Sequence, residues 1–483
     1  MLPNVNLNVL DGALGVLPPG LGDVMAVVGP ASGGPLDMPA AFSQTKHLIS
    51  NFVSGPAVEA ACYAVEYTGK PVVFVRSGAS TLGSYAALDV AGFAGTSAPA
   101  LDAATHPDDE YEVVLVFPRG GTIGTDGITY RWSLDGSRTL SPETALGVLN
   151  SITLPEGGGI KLDLGPGTVI AGDRLSFRTN PPQWSQGELS ASLGALRTSN
   201  LPWKVAQVTG ALDATAVATI GAELVAMANI GKYRWAIGNT RGPNLAETEA
   251  AYYSAISTAF GSTSEKRLSL CAGYAKTLSS VSRRNFRRPI SIAVAARAVG
   301  VDVAVDLAEL DLGPLSGVQI RDPNQNPDEH DETVSPGLDD ARFTTLRTVE
   351  GYEGVYVTNP RLLSPTGSDF VFIQHRRVMD VACETVRTAL MRRISKPIRI
   401  DKRTGFILEE EAREIESGVN AALRTMLLSK KRASNAYFVL SRTDNILSTF
   451  TLTGEARVIP LGYPKFINVD IGFYNPAIRV VKV

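Results

Sequence analysis

Histidine and cysteine are scarce in this sequence of 483 residues, which holds four of the first and three of the second. Cys62, Cys271 and Cys383 lie far apart and leave one over in any pairing, so neither a disulfide framework nor a clustered zinc site is indicated. Each reads as a small buried apolar residue. His47, His106, His330 and His375 form no H-E-x-x-H pair, and none stands beside a cysteine. Charge of one sign is lacking as well, because 45 basic against 48 acidic residues leave a formal net charge of -3. Nucleic-acid binders carry a basic excess or stripe that displaces counterions from phosphate, so DNA and RNA are set aside. No run of about 18 uninterrupted apolar residues occurs, which argues against a membrane span. The opening residues lack the basic and apolar regions of a secretory signal, and a reducing cytoplasm is expected.

Motifs of chemistry are missing too. The loop from Gly29 to Pro35 fits neither G-x-G-x-x-G nor the P-loop, and no Gly-Lys-Ser/Thr follows it. No G-x-S-x-G elbow occurs. The acidic run Asp328, Glu329, His330, Asp331 and Glu332, with Asp322 upstream, lacks the glycine and terminal glutamate of an EF-hand and reads as a solvated loop. The expectation is a protein with no catalytic residue, no metal and no cofactor. The competing class is an α/β enzyme carrying an inserted β domain.

What is present is the composition of a soluble globular protein, 44% hydrophobic and 19% charged, in a chain long enough for roughly two to four domains. Val5, Leu7 and Val9 alternate with asparagines in the period of a strand, and glycines and prolines between 12 and 20 place that strand on a tether. An apolar run at 24–29, a helical stretch at 56–67 and a second apolar run at 71–76 open an α/β unit. Short strands at 112–117, 128–133, 161–164 and 174–178, spaced by glycine-rich turns, predict an inserted β sandwich or barrel. Strands at 205–208, 233–237 and 268–272, with helices at 214–229 and 246–260 between them, complete the interrupted unit.

The segment 322–340, rich in Pro, Asn, Asp and Glu, reads as an exposed boundary loop. Beyond it a compact α+β region is predicted, with strands at 346–350 and 355–358, helices at 375–393 and 408–428, then strands at 436–441, 448–453 and 466–473. After Asn475-Pro476 a tail with Ile478, Val480 and Val483 is again strand-like. The organisation is thus an N-terminal arm (1–20), an α/β domain (21–90 and 191–321), an inserted β-rich outer domain (91–190), a boundary (322–340), a C-terminal α+β inner domain (341–475) and a C-terminal arm (476–483). Arg283, Arg284, Arg287 and Arg288 make a dense basic cluster read as a subunit contact. Glu409, Glu410 and Glu411 open the second helix, and Lys430, Lys431 and Arg432 follow its other end, which complements the helix dipole and could also face a partner.

Three stretches stand in order near the front: Val24-Met25-Ala26-Val27-Val28-Gly29-Pro30-Ala31-Ser32-Gly33-Gly34-Pro35, then Phe52-Val53-Ser54-Gly55-Pro56-Ala57-Val58-Glu59-Ala60-Ala61, then Lys70-Pro71-Val72-Val73-Phe74-Val75-Arg76. They give a strand with a G-x-A-x-x-G-P loop, a helix entered through G-P-x-V-E-A-A and a P-V-x-x-V-R strand. Further on stand Gly124-Thr125-Asp126-Gly127-Ile128-Thr129-Tyr130, Ser133-Leu134-Asp135-Gly136, Asn239-Thr240-Arg241 and Glu247-Thr248-Glu249-Ala250-Ala251-Tyr252. In this order and spacing the chain resembles the contractile tail sheath proteins of phages over nearly its full length. The resemblance implies an inner domain built mainly from the C-terminal third and more variable outer domains. It also implies a helical homo-oligomer of stacked hexameric rings around an inner tail tube, ending at baseplate and tail terminator proteins. Such a subunit is assembled in the bacterial host cytoplasm into the virion tail sheath, and contraction uses energy stored at assembly. A bacterial contractile injection system or tailocin would use the same subunit. Both arms are then expected to add strands to neighbouring subunits, and Lys430, Lys431 and Arg432 to meet the tube.

Overall fold

Five apolar runs of the chain share one environment, a parallel sheet covered on both faces. The computed structural model describes residues 23–244, 247–322 and 329–473. Strands Met25–Gly29, Val72–Arg76, Val205–Ala211, Trp235–Asn239 and Leu268–Cys271 run parallel, and Ala40–Phe42 closes one edge antiparallel. Met25–Gly29 lies in the middle, with Val27 beside Gln207 on one neighbour and Phe74 on the other. Met25–Gly29 and residues 72–75 are buried on both faces and read as unbroken apolar runs, whereas the other three strands also bury Gln207, Thr209, Asn239 and Ser269. Met25, Val27, Phe74 and Val205 point to one side, onto helices Pro56–Thr68 and Ser291–Gly300. Ala26, Val28, Val73 and Val75 point to the other, onto helices Gln186–Thr198, Ala214–Asn229 and Glu249–Phe260. Gly29 is required by proximity: a β-carbon there would lie 1.7 Å from Thr209 Oγ1.

The inserted region has a core of its own, including Val113, Leu115, Phe117, Trp132, Ile152 and Phe177. Strands Ser84–Tyr85, Arg174–Asn180, Glu112–Arg119, Thr129–Ser133 and Thr144–Ala145 pair antiparallel in that order, and Ser151–Thr153, Lys161–Leu164 and Pro99–Leu101 form a second small sheet. Leu189, Leu193 and Leu196 of helix Gln186–Thr198 pack on the parallel sheet, so by packing the insert ends near residue 180 and the residues to 190 belong to the body.

The expected boundary at 322–340 and the inner domain beginning at 341 are both displaced by packing. Leu346, Val355, Val357, Leu362 and Ile373 are buried in one body core, and Leu338, Phe343 and Leu363 in the other. Thr344 and Leu363 donate backbone hydrogen bonds to Leu270 O (3.0 Å) and Leu268 O (2.9 Å), capping the outer edge of the sheet. Nor is the acidic run solvated. Glu329, His330, Asp331 and Glu332 are buried, because Glu332 accepts from the backbone of Gly337 and Asp339 and Asp331 accepts from Thr348 and Arg321.

The C-terminal unit starts with helix Ile373–Met391. Helix Glu409–Leu423, continuing as a wider π turn over Arg424–Leu428, and the hairpin Asn435–Leu440 with Gly454–Ile459 complete it. Ala412, Ile415, Val419, Leu423 and Leu427 meet Ala436, Phe438 and Leu440 in its core. The strand expected at 448–453 is absent: Ile446–Thr449 is a helical turn, and the Asp444 carboxylate takes the Thr453 amide at 2.5 Å, closing a compact loop before the strand begins at Gly454. Residues 466–473 have no regular secondary structure and join no sheet among the described residues. The arm residues Val5, Leu7, Val9, Ile478, Val480 and Val483 lie outside the described residues.

A fragment ending at residue 340 leaves vacant the places of five buried aliphatic side chains, Leu346, Val355, Val357, Leu362 and Leu363, each worth about 1.5–3 kcal/mol. It is expected to aggregate, whereas a fragment ending at residue 372 stays soluble and unfolds in one transition, as read by size-exclusion chromatography and urea denaturation.

Candidate assembly surfaces and domain junctions

Each of the parallel strands is preceded closely by a charged or polar residue, and four of these converge on helix Ile373–Met391. Asp23 takes Arg377 (3.1 Å), Lys204 and Arg234 (3.0 Å) share Glu384, and Arg267 binds Asp380 (3.0 Å), which also accepts from Arg376 (2.6 Å). Arg234 additionally lies over the Trp203 ring, 5.4 Å from its centroid. Burial pushes the Asp380 carboxyl above its ordinary value despite Arg376 and Arg267, and burial likewise lowers Arg377. This clamp joins the amino ends of the strands to the C-terminal unit. None of its members was singled out from the sequence, although a charge standing just ahead of a buried run was a visible signal.

The insert meets the body at the opposite end of the sheet, through buried ion pairs. Arg288 donates to Asp109 (2.9 Å) and to Glu110 O (2.5 Å), while Arg287 donates to Glu110 (2.6 Å) and Glu329 (2.6 Å). Lys276 binds Glu112, whose other oxygen takes Arg178 at 2.9 Å. Arg287 covers the Tyr274 ring at 4.3 Å. Burial raises the Asp109 carboxyl to about 7, Arg288 opposing the rise and Glu59 and Asp108 adding to it. Burial also raises Glu59, against Arg288 and the Ser279 hydroxyl.

This placement divides the basic cluster expected at a subunit contact. Arg287 and Arg288 are interior, because strand Asn285–Pro289 is sandwiched between insert and body. Arg283 and Arg284 lie nearer the surface, on Glu66 (2.5 Å) and Glu156 (2.8 Å). At the other cluster, Lys430 and Lys431 are exposed, whereas Arg432 reaches back to Asp302 at 2.5 Å with only 14% of its side chain exposed.

The C-terminal hairpin presents one open edge. Along Asn435–Leu440, Ala436, Phe438 and Leu440 turn inward while Tyr437 and Val439 face out. The far edge of that strand is closed by helix side chains: Asn420 exchanges two hydrogen bonds with the Phe438 backbone (3.0 and 2.7 Å), and Glu416 takes the Leu440 amide (2.7 Å). The outer edge of Gly454–Ile459 has no strand beside it among the described residues. A two-stranded sheet with an open edge is incomplete by itself. Tyr463 and Lys465 hold the chain to the body through Ala304 O (2.6 Å) and Asp306 (2.5 Å). After them Phe466, Ile467, Val469, Ile471 and Phe473 are all exposed, each by at least 69%. The detachment therefore begins near residue 466, earlier than the break at Asn475-Pro476 suggested.

Among the described residues there is no cluster of His, Cys, Asp and Glu that could hold a metal ion, and no helix is long and apolar enough to cross a membrane.

The whole architecture is shared with components of contractile machines. A chain of the anti-feeding prophage (AFP) baseplate is similar over 98% of this chain and 99% of its own, at 10% identity and a TM-score of 0.52. A chain of the PVC sheath complex, from an extracellular contractile injection system in its contracted state, is similar over 98% and 97%, at 10% identity and a TM-score of 0.51. The sheath tail protein from Desulfitobacterium hafniense aligns over 95% and 100%, at 12% identity and a TM-score of 0.46. The fold is one found in a contractile injection system's sheath complex and in the AFP baseplate. Within that fold class the chain belongs to the DUF2586 family: the model described as DUF2586, N-terminal domain matches residues 2–361, and DUF2586, C-terminal domain matches 369–478. The gap between the two falls where the packing changes, just before helix Ile373–Met391. No curated protein matches the chain.

Replacing Asp380 with Ala strands Arg267 and Arg376 in the junction, and is expected to cost about 3–5 kcal/mol by urea denaturation, because a buried charge left unpaired is expensive. A loss under about 1 kcal/mol would match a solvent-exposed pair instead.

Proposed function

We propose that this chain is the structural subunit of a contractile sheath, stacking as hexameric rings around an inner tube and contracting to drive that tube through a target envelope. The observation that supports it most is the pairing, in one small unit, of an open strand edge at Gly454–Ile459 with an exposed apolar segment from Phe466 to Phe473. Strand addition satisfies the backbone of donor and acceptor together, and alternating apolar side chains set its register. In this reading the arms carrying Val5, Leu7 and Val9, and Ile478, Val480 and Val483, are donated to neighbouring subunits. The stretches joining the arms to the body would let subunits slide and rotate during contraction while the ladders stay paired. Lys430 and Lys431 face the tube, and the insert projects outward. Baseplate and tail terminator proteins cap the two ends, and the assembly forms in the bacterial host cytoplasm, without nucleotide or cofactor. The likeness to a chain from an extracellular injection system favours, as a second context for the same role, a bacterial contractile injection system or tailocin. No likeness favours an α/β enzyme with an inserted β domain.

The concentrated protein is expected to form hollow cylinders in negative stain. Deleting residues 1–11 or 477–483 should abolish them and leave a monomer of near-unchanged melting temperature; ordered tubes from either truncation would remove the arms as the linkage. Because exposed pairs contribute only about 0.2–1 kcal/mol each and are screened by salt, reversing both Lys430 and Lys431 to Glu should weaken tube binding roughly two- to thirtyfold by co-sedimentation, with self-association unchanged. Arg432 is left intact in that variant, since its partner is Asp302.

A further inference from the structure

The insert is joined to the body like a flap. Its two chain crossings run side by side, Thr81 and Gln183 exchanging backbone hydrogen bonds of 3.1 and 2.8 Å. Apart from this ribbon, Phe286 of the body is buried in the insert core, edge-on to Tyr111 at 5.3 Å. Clefts of about 640 and 570 Å3 flank the waist, and Asp109 borders both. Between the clefts insert and body meet along a row of ion pairs, and beyond it Arg284 lies over the Trp132 ring and Arg138 donates to Gln319.

That row is out of balance. Two carboxylates share Arg288, Asp109 from the insert and Glu59 from helix Pro56–Thr68, and Asp108 of the insert stands beside them. Hydroxyls soften two of them, Ser54 donating to Asp108 and Ser279 to Glu59. Farther along the row Arg287 already answers Glu110 and Glu329, and Lys276 with Arg178 answers Glu112. Across the acidic cleft Arg284 holds Glu156, and the Tyr111 hydroxyl donates to Asp108 at 3.1 Å. Among the described residues no second cation is paired with Asp109 or Glu59, and two carboxylates sharing one guanidinium in a largely buried contact are costly.

We propose that this waist is a proton-controlled latch: with one proton held between Glu59 and Asp109 the insert stays docked, and loss of that proton frees it to swing on the Thr81–Gln183 ribbon. Burial places Asp109 near 7 when docked, and in the swung-out state water returns it toward the ordinary carboxylate range. The docked state thus binds more protons, so docking is firmest in acid, weakens as pH rises from the ordinary range toward 7, and is weakest above it. This is a property of the single subunit and stands apart from the sheath reading.

The test is electron–electron double resonance on the full chain with Cys383→Ser, spin-labelled at Leu149→Cys on the insert and Ile230→Cys on the body, both exposed positions. Between pH 6 and pH 8 the ratio of open to docked distances should rise about tenfold. Asp109→Asn or Glu59→Gln should keep the pH 6 distribution at pH 8. An unchanged distribution in the labelled parent at both pH values overturns the latch, and this arm needs neither variant to fold. A pH response that survives in both variants overturns it as well.

Discussion

Burial of a parallel sheet on both faces is the constraint from which the rest of this structure follows. Parallel strands need crossover connections, and the crossovers occupy both faces with helices. Additional domains can then attach only at the strand ends. The insert departs beyond Arg76 at a carboxyl end and returns into helix Gln186–Thr198, whereas helix Ile373–Met391 docks at the amino ends through Asp23, Lys204, Arg234 and Arg267. Strand ends carry unpaired backbone groups and loops, so both junctions are polar by necessity.

Polar junctions have a mechanical consequence. Apolar cores hold by area and tolerate small slides, but a row of buried ion pairs is satisfied in one alignment and penalised in others, because desolvation has been spent whichever way the groups face. The three cores of the molecule beyond the junctions are correspondingly self-contained: the double-sided body, the insert around Phe117 and Trp132, and the C-terminal unit around Ile415 and Leu423. Such an arrangement suits units that move as rigid bodies, which is the kind of motion a contracting sheath would require.

The C-terminal unit is the least complete of the three. Its hairpin is closed on one side by Asn420 and Glu416 and left open on the other, and its last described segment exposes five large apolar side chains in sequence. An open edge and exposed apolar side chains are the features that strand addition covers. Among the described residues they lie together in the unit that has the smallest core.

Much of this could be read from residues alone, and the reason differs by element. Runs such as Met25–Gly29 and 72–75 announce buried strands because every position in them is apolar, and helices at Pro56, Ala214 and Glu409 carry their own start signals. Glycine-spaced short strands marked the insert for a similar local reason. Charge was where sequence reasoning stopped. Arg283, Arg284, Arg287 and Arg288 look alike in a line of text, yet tertiary contact left the first two outward and buried the last two against Asp109, Glu110 and Glu329. The acidic residues at 329–332 looked solvated for the same reason, since their partners lie up to 42 residues away in the chain. Hydrophobic periodicity is a local property that the chain states directly, whereas the worth of a charge depends on which opposite charge folding brings beside it. That pairing, and with it both junctions, was settled only in three dimensions.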